Sequence, residues 1–194
     1  MAPTRVTMVA GTGLDGGAAG EPPAAWGIER IVAVRGEPLP AASHLRRIEG
    51  AEFAAETQSA WTLQGVRSHD RYLERGEKDR LIAIQQDLDR PSSTLAALIP
   101  MRKSAAWWAM TQDERRAVFE PRSRHIAIGS DYLPAVARRL YHCRDLGGPF
   151  DFLTWFEFAP ESAGAFDELL GRLRETEEWR YVDREVEVRL QRRR

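Results

Sequence analysis

The chain has a single cysteine, Cys143, among its 194 residues. One thiol excludes an internal disulfide framework and any cysteine-rich zinc site, and it fits a reducing compartment. A surplus of one charge is also missing: 28 Lys and Arg stand against 29 Asp and Glu, a formal net charge of −1. There is thus no broad cationic field to hold a phosphate backbone, and no nucleic-acid partner is expected. The closing Arg192-Arg193-Arg194 is too short to change this and reads as a solvated tail. No apolar run approaches the roughly 18 residues of a membrane-spanning helix. The Gly-, Ala- and Pro-rich start lacks the basic head and apolar core of a secretory signal. The expectation is a cytoplasmic protein with no membrane partner. Gly-Thr-Gly at 11–13 lacks the third glycine and the GK[ST] ending of a phosphate loop, so no nucleotide site is assigned to it.

What is present suits one globular domain: 43% hydrophobic and 29% charged residues. Residues 1–23 read as a flexible leader and 24–194 as the domain. Ile28 to Val34, stopped by Gly36 and Pro38, suggests a strand, and Ala60 to Val66 a second. Gly76 to Asp89 reads as a helix, with Leu81, Ile84, Gln85 and Leu88 on one face. Ser93 to Met101 is an apolar strand candidate. Thr111 and Glu114 form a capping box that opens a helix through Phe119. A further helix is expected from about Tyr132 to Arg144, ended by Gly147-Gly148. Phe150 to Phe158 is the clearest strand, with Phe150, Phe152, Thr154, Phe156 and Phe158 on one face and Leu153 and Trp155 on the other. Both faces are apolar, so it should be covered on both sides. A helix from Ser162 to Arg174 and a strand through Val182, Val186, Val188 and Leu190 complete the pattern. The fold class is α+β, with two βαββαβ-like halves sharing one sheet or one barrel.

Few residues announce chemistry by themselves. The histidines are His44, His69, His125 and His142, and a lone histidine is more often a core or surface residue than a ligand. His125 lies in the link between two helices, a place from which a side chain can be aimed at a cavity. Gln85 falls on an apolar stripe, where a buried amide must find partners; it is a boundary residue or a polar group facing a pocket. Arg138 and Arg139 would point about 100° apart on a helix, and spacing alone favours two solvated arginines. Trp107-Trp108 is a core pair or the wall of a flat-ligand pocket. Glu178, at the start of the last strand, has the ordinary reading of an exposed acid.

Taken together, MRKSAAWW (101–108), ERR (114–116), the segment from HIAI to YLPAVARRLYH (125–142), DLGGPFDFLTWFE (145–157) and LRETEEWRYVDREV (173–186) resemble the chlorite dismutase family of dimeric α+β-barrel haem proteins, from Tyr72 to Leu190. The resemblance implies two ferredoxin-like βαββαβ halves in a barrel, with an abbreviated N-terminal half (about 24–105), a haem-binding C-terminal half (about 106–194), and a homodimer, as in the short branch of the family. It implies haem b, with His125 as the iron ligand and Glu178 as the carboxylate that accepts its ring N–H. Arg138 matches the distal arginine and Gln85 a glutamine that can hold it. Leu133 matches an apolar distal residue and Trp107 a tryptophan beside the haem. Lys103 falls near a haem propionate, and Tyr72 has a similar place. The implied reaction converts chlorite to chloride and O₂ through a ferryl haem and a hypochlorite fragment that the permanently charged Arg138 retains. Coproheme decarboxylases share the fold but use a tyrosine where this chain has Ile99 and a glutamine where it has Arg138. A haem peroxidase, a haem sensor and a purely structural α+β protein are the other readings.

Overall fold

Eight strands wind into a closed antiparallel barrel in a computed structural model of the chain, which describes residues 4–12, 26–50, 59–67 and 72–193. They are Arg5–Gly11 (β1), Trp26–Arg35 (β2), His44–Gly50 (β3), Trp61–Arg67 (β4), Leu95–Lys103 (β5), Val136–His142 (β6), Phe152–Phe158 (β7) and Val182–Arg192 (β8). Around the barrel the order is β1-β3-β2-β8-β5-β7-β6-β4. Read as two quartets, β4-β1-β3-β2 and β8-β5-β7-β6 repeat one ferredoxin-like order. The division therefore falls before β5, not after residue 105. In the second quartet helices Ala105–Ala109 (α2), Gln112–Ala117 (α3) and His125–Tyr132 (α4) join β5 to β6, and Ala163–Arg174 (α5) joins β7 to β8. One helix, Arg75–Ile84 (α1), links the quartets.

The two quartets meet along β2 and β8, from Trp26↔Arg192 to Arg35↔Glu185. On the opposite side, among the described residues, they meet at Val66↔His142 and Arg67↔Tyr141. Side chains on the inner face fill the barrel: Met8, Leu45, Leu63, Leu98, Leu153 and Trp155 are buried there, with Trp26 edge-on to Trp155 at 5.5 Å between centroids. The outer face of β5, β7 and β6 packs Ile99, Phe156, Phe158 and Val136 under α4 and α5, chiefly against Tyr132, Phe166, Leu169 and Leu170. β7 is thus covered on both faces, as its two apolar sets require. Phe150 precedes the strand and joins the barrel interior instead.

Three expectations need correction. Arg5–Gly11 lies inside the span read as a flexible leader, yet it is a buried strand between β3 and β4. Its RVTMVAG sequence is short, with Val6, Met8 and Ala10 on one face and Arg5, Thr7 and Val9 on the other, and all but Arg5 are buried. Gly11 is needed for close packing, since a Cβ there would stand 2.5 Å from the His44 ring. The helix expected from Tyr132 to Arg144 is instead the end of α4 followed by strand β6. Pro134 lacks the N–H that a continuing helix would need. Beyond it the chain pairs with β7 in register from Val136↔Phe158 to His142↔Phe152. Finally, Arg192 is not in a solvated tail: it ends β8, 3.6 Å from the buried Glu157 carboxylate. Strand His44–Gly50 was not anticipated, and His69 lies outside the described residues.

Candidate active site

Between the outer face of the β5–β7–β6 sheet and helices α1, α4 and α5 lies a cavity of about 710 Å³, within the usual range for cofactor pockets. All eight residues singled out above line it: Tyr72, Gln85, Lys103, Trp107, His125, Leu133, Arg138 and Glu178.

His125 is the first residue of α4, and the preceding Arg124 is left-handed at φ 52°. A five-residue turn, Val118–Arg122, with Pro121 inside it, separates α3 from this point. The backbone therefore reverses just before the histidine and delivers its ring to the cavity. The Phe119 ring stacks on the imidazole at 4.3 Å and 23°, which limits its rotation. His125 Nδ1 lies 2.6 Å from Glu178 Oε2. Beside a carboxylate this nitrogen carries the proton, which leaves Nε2 as the ring nitrogen with a lone pair. Glu178 opens the short 3-10 turn Glu178–Tyr181 before β8 and is buried rather than exposed. Its Oε1 accepts from Lys103 Nζ at 2.7 Å. Burial alone would raise this carboxyl, but the charge of Lys103, with the hydrogen bonds from His125 and Lys103, outweighs it and holds the group well below the usual carboxylate range. Glu178 thus stays ionised between two donors. Lys103, at the end of β5, is committed to this pair and sits 4.7 Å over the Trp107 ring.

Ser104 caps α2, accepting from the Trp107 backbone N–H, and directs the Trp107 indole inward. Trp107 is 1% exposed, and its Nε1–H has no partner among the described residues. Trp108, by contrast, donates to Asp151 at 3.1 Å. Tyr72 packs edge-on against Trp107 and tilted against Phe119, and Arg116 holds its carbonyl at 2.6 Å. Arg138 lies opposite Phe156 on β6. On a strand, consecutive side chains point to opposite faces, so Arg138 sits with Val136 and Leu140, not 100° from Arg139. Gln85 is the C-cap of α1 rather than a residue of its stripe, and its Nε2–H donates to the Arg138 carbonyl at 2.8 Å. The glutamine therefore anchors the backbone of Arg138. Leu133, buried, follows α4 into the cavity wall.

Sequence reasoning missed Phe119, which stacks on the histidine, Glu120 and Ser123, which hold the backbone beside it, and Thr154 and Phe156 in the cavity wall. Thr154 carried a signal: it is the polar residue in an otherwise phenylalanine face of β7.

Among the described residues no three His, Cys, Asp or Glu side chains gather to hold a bare metal ion. One imidazole with a fixed tautomer suits a metal whose other ligands come from a planar macrocycle. The flat aromatic walls fit such a group, and the buried, partnerless Trp107 Nε1–H is a donor that a carboxylate on its edge would satisfy.

A profile of the chlorite dismutase family matches residues 31–194. The chlorite dismutase of Ideonella dechloratans is 35% identical over 86 residues, 44% of this chain but only 28% of that protein. The crystal structure of a dimeric chlorite dismutase from Nitrobacter winogradskyi is 53% identical, with a TM-score of 0.85 over 97% of this chain and 99% of that one. The chlorite dismutase of Candidatus Nitrospira defluvii in complex with imidazole shares the fold at 20% identity, with a TM-score of 0.65 over 96% of this chain and 90% of that one. The match reaches back from the Tyr72 boundary of the recognised motifs to residue 31, and with it this chain belongs to the chlorite dismutase family.

Proposed function

We propose that the chain is a haem b-dependent chlorite dismutase that converts chlorite to chloride and O₂. The observation that carries this reading is one cavity lined both by the hydrogen-bonded Lys103, Glu178 and His125 and by Arg138. When bound, haem b supplies the redox-active iron at which chlorite is split and its two oxygen atoms are joined.

The protein's part is to bind, orient and exclude. His125 would hold the iron through Nε2, with its ring held by Phe119 and its Nδ1–H held by Glu178. An ionised acceptor on Nδ1 makes the imidazole a stronger donor, which favours higher oxidation states of the metal. Lys103 keeps that acceptor ionised. Trp107 Nε1–H, with Lys103 and Tyr72 nearby, faces the cofactor's carboxylates. Arg138 would attract the ClO₂⁻ anion and keep oxyanions within the cavity; a guanidinium keeps its charge in a partly desolvated site. Gln85 steadies the strand that carries Arg138. Leu133 and Phe156 keep competing water away. Ile99, buried in the same wall, has no phenol, and this separates the site from decarboxylation of coproheme propionates.

The 53% identical relative is dimeric, which supports a homodimer here. The lone buried thiol fits the cytoplasm, and among the described residues no helix is long and apolar enough to cross a membrane. The test is a haem b titration of the wild type and His125→Ala, followed by addition of chlorite. A Soret band that needs His125, with rapid O₂ release, supports the reading. A His125-dependent band with peroxide turnover far above chlorite turnover replaces it with a peroxidase.

A further inference from the structure

We infer that Glu120 and Ser123 are positioning residues that set the His125–Glu178 hydrogen bond. This inference rests on the reading of His125 as the haem ligand. The two partners come from distant parts of the chain, one on α4 and one on the turn before β8, yet they meet at 2.6 Å. A bond that short needs both backbones fixed, and the turn that precedes His125 fixes both.

Glu120 acts on the histidine side. The N-cap residue of α4, Arg124, is left-handed and offers no side-chain cap. Glu120, six residues ahead of Ile126, supplies one: Oε2 accepts from Ile126 N–H at 2.6 Å and Oε1 from Ala127 N–H at 3.3 Å. Its carbonyl accepts from Arg124 N–H at 2.7 Å. One residue therefore closes the turn and satisfies two orphan donors of the helix that begins with His125. A carboxylate is also the favourable charge at that helix end.

Ser123 acts on the glutamate side. It is 3% exposed, and its Oγ accepts from the Glu178 backbone N–H at 2.9 Å in a buried setting. Ser123 is two residues from His125, so this bond ties the Glu178 backbone to the histidine's own segment. Without the hydroxyl, a buried N–H loses its partner, and the backbone of Glu178 must shift to find another. Arg122 and Glu177 bridge the same two segments at 3.1 Å, but at an exposed site, where an ion pair holds geometry weakly.

The test uses two readouts, one of which needs no haem. In the haem-free protein the His125 Nδ1–H proton should give a far-downfield NMR resonance in slow exchange with water. Ser123→Ala and Glu120→Gln should move it upfield and speed its exchange. Ser123→Thr, which keeps the hydroxyl, and Arg122→Ala should leave it in place. In the haem-loaded ferrous protein, Ser123→Ala should lower the iron–histidine stretching frequency toward that of Glu178→Gln. Turnover should fall roughly 10-fold, the lower range for loss of a group that orients a ligand. Should Ser123→Ala fail to fold, Glu120→Gln carries the test. Unchanged resonance and unchanged stretch in both variants, even with a lowered melting temperature, overturn the inference. Failure of haem to bind through His125 refutes the functional reading instead, while the NMR result still decides the positioning role.

Discussion

Replacing Lys103 by methionine tests whether Glu178 is held by charge or merely packed. The side chains of Lys103 and Glu178 are 3% and 9% exposed, with Nζ and Oε1 2.7 Å apart. At an effective dielectric of about 20, the attraction at that distance is of order 6 kcal/mol, much of it offset by desolvation of both groups. Methionine fills a similar volume but leaves a buried carboxylate with His125 as its remaining side-chain partner. Breaking one side of a buried pair costs about 3–5 kcal/mol. With a urea m-value of about 2–3 kcal/mol/M, Lys103→Met should lower the unfolding midpoint by roughly 1–2 M. The double variant Lys103→Met/Glu178→Gln should recover at least half of that loss, because no uncompensated charge remains. Equilibrium urea unfolding of the haem-free protein at pH 7, followed by far-UV circular dichroism, reads both. A single variant within about 0.3 M of wild type, or a double variant no better than the sum of the singles, would mean that packing and not charge holds Glu178.

Other consequences are quicker to check. Burial and the nearby Asp151 push the Cys143 thiol up to about 12, so iodoacetamide at pH 8 should leave the native chain unmodified and label it fully in urea; rapid native labelling would contradict that environment. A Cβ on Gly65 would stand 2.7 Å from Tyr141 Cβ, at the short β4–β6 junction of the two quartets. Gly65→Ala should therefore cost about 1–3 kcal/mol in the same unfolding assay, and a neutral substitution would show that this junction yields. Six cationic side chains (Arg67, Lys78, Lys103, Arg138, Arg139 and Arg174) line the cavity against three acids (Asp87, Glu178 and Glu185), in a chain whose net charge is −1. Turnover of an anionic substrate at low concentration should accordingly fall as salt is raised, and fall further in Lys78→Glu; kcat/KM independent of ionic strength would remove this steering.

How legible all this was depended on period and on locality. β7 and α5 were plain because each pattern spans the element with one repeat and ends at clear signals. The capping box of Thr111 and Glu114 is present as read. β6 reads as helix in sequence because Leu133, Val136, Ala137 and Leu140 satisfy a helical stripe, whereas each face of the strand, Val136-Arg138-Leu140 and Ala137-Arg139-Tyr141, carries an arginine among its apolar residues. Only pairing with β7, a contact distant in sequence, decides between them. β1 and β3 carry little strand signal because one is short with Arg5 and Thr7 on one face and the other, HLRRIEG, holds three charged residues; barrel closure stabilises both. The individual site residues carried little signal alone. Glu178 looks exposed in sequence and is buried through Lys103, 75 residues away. Family motifs supplied what spacing could not, yet they did not reveal that Gln85 holds the Arg138 carbonyl or that Phe119 stacks on His125.

Oxygen and chloride release from the haem b-loaded protein given chlorite, with Arg138→Ala measured beside it, decides whether this cavity dismutates chlorite. The wild type should release O₂ rapidly in a 1:1 ratio to chloride. Arg138→Ala should release it far more slowly, or bleach rapidly with hypochlorite leaking into solution. No O₂ from a wild-type protein that shows a His125-dependent Soret band, or equal rate and lifetime in the variant, would contradict this reading.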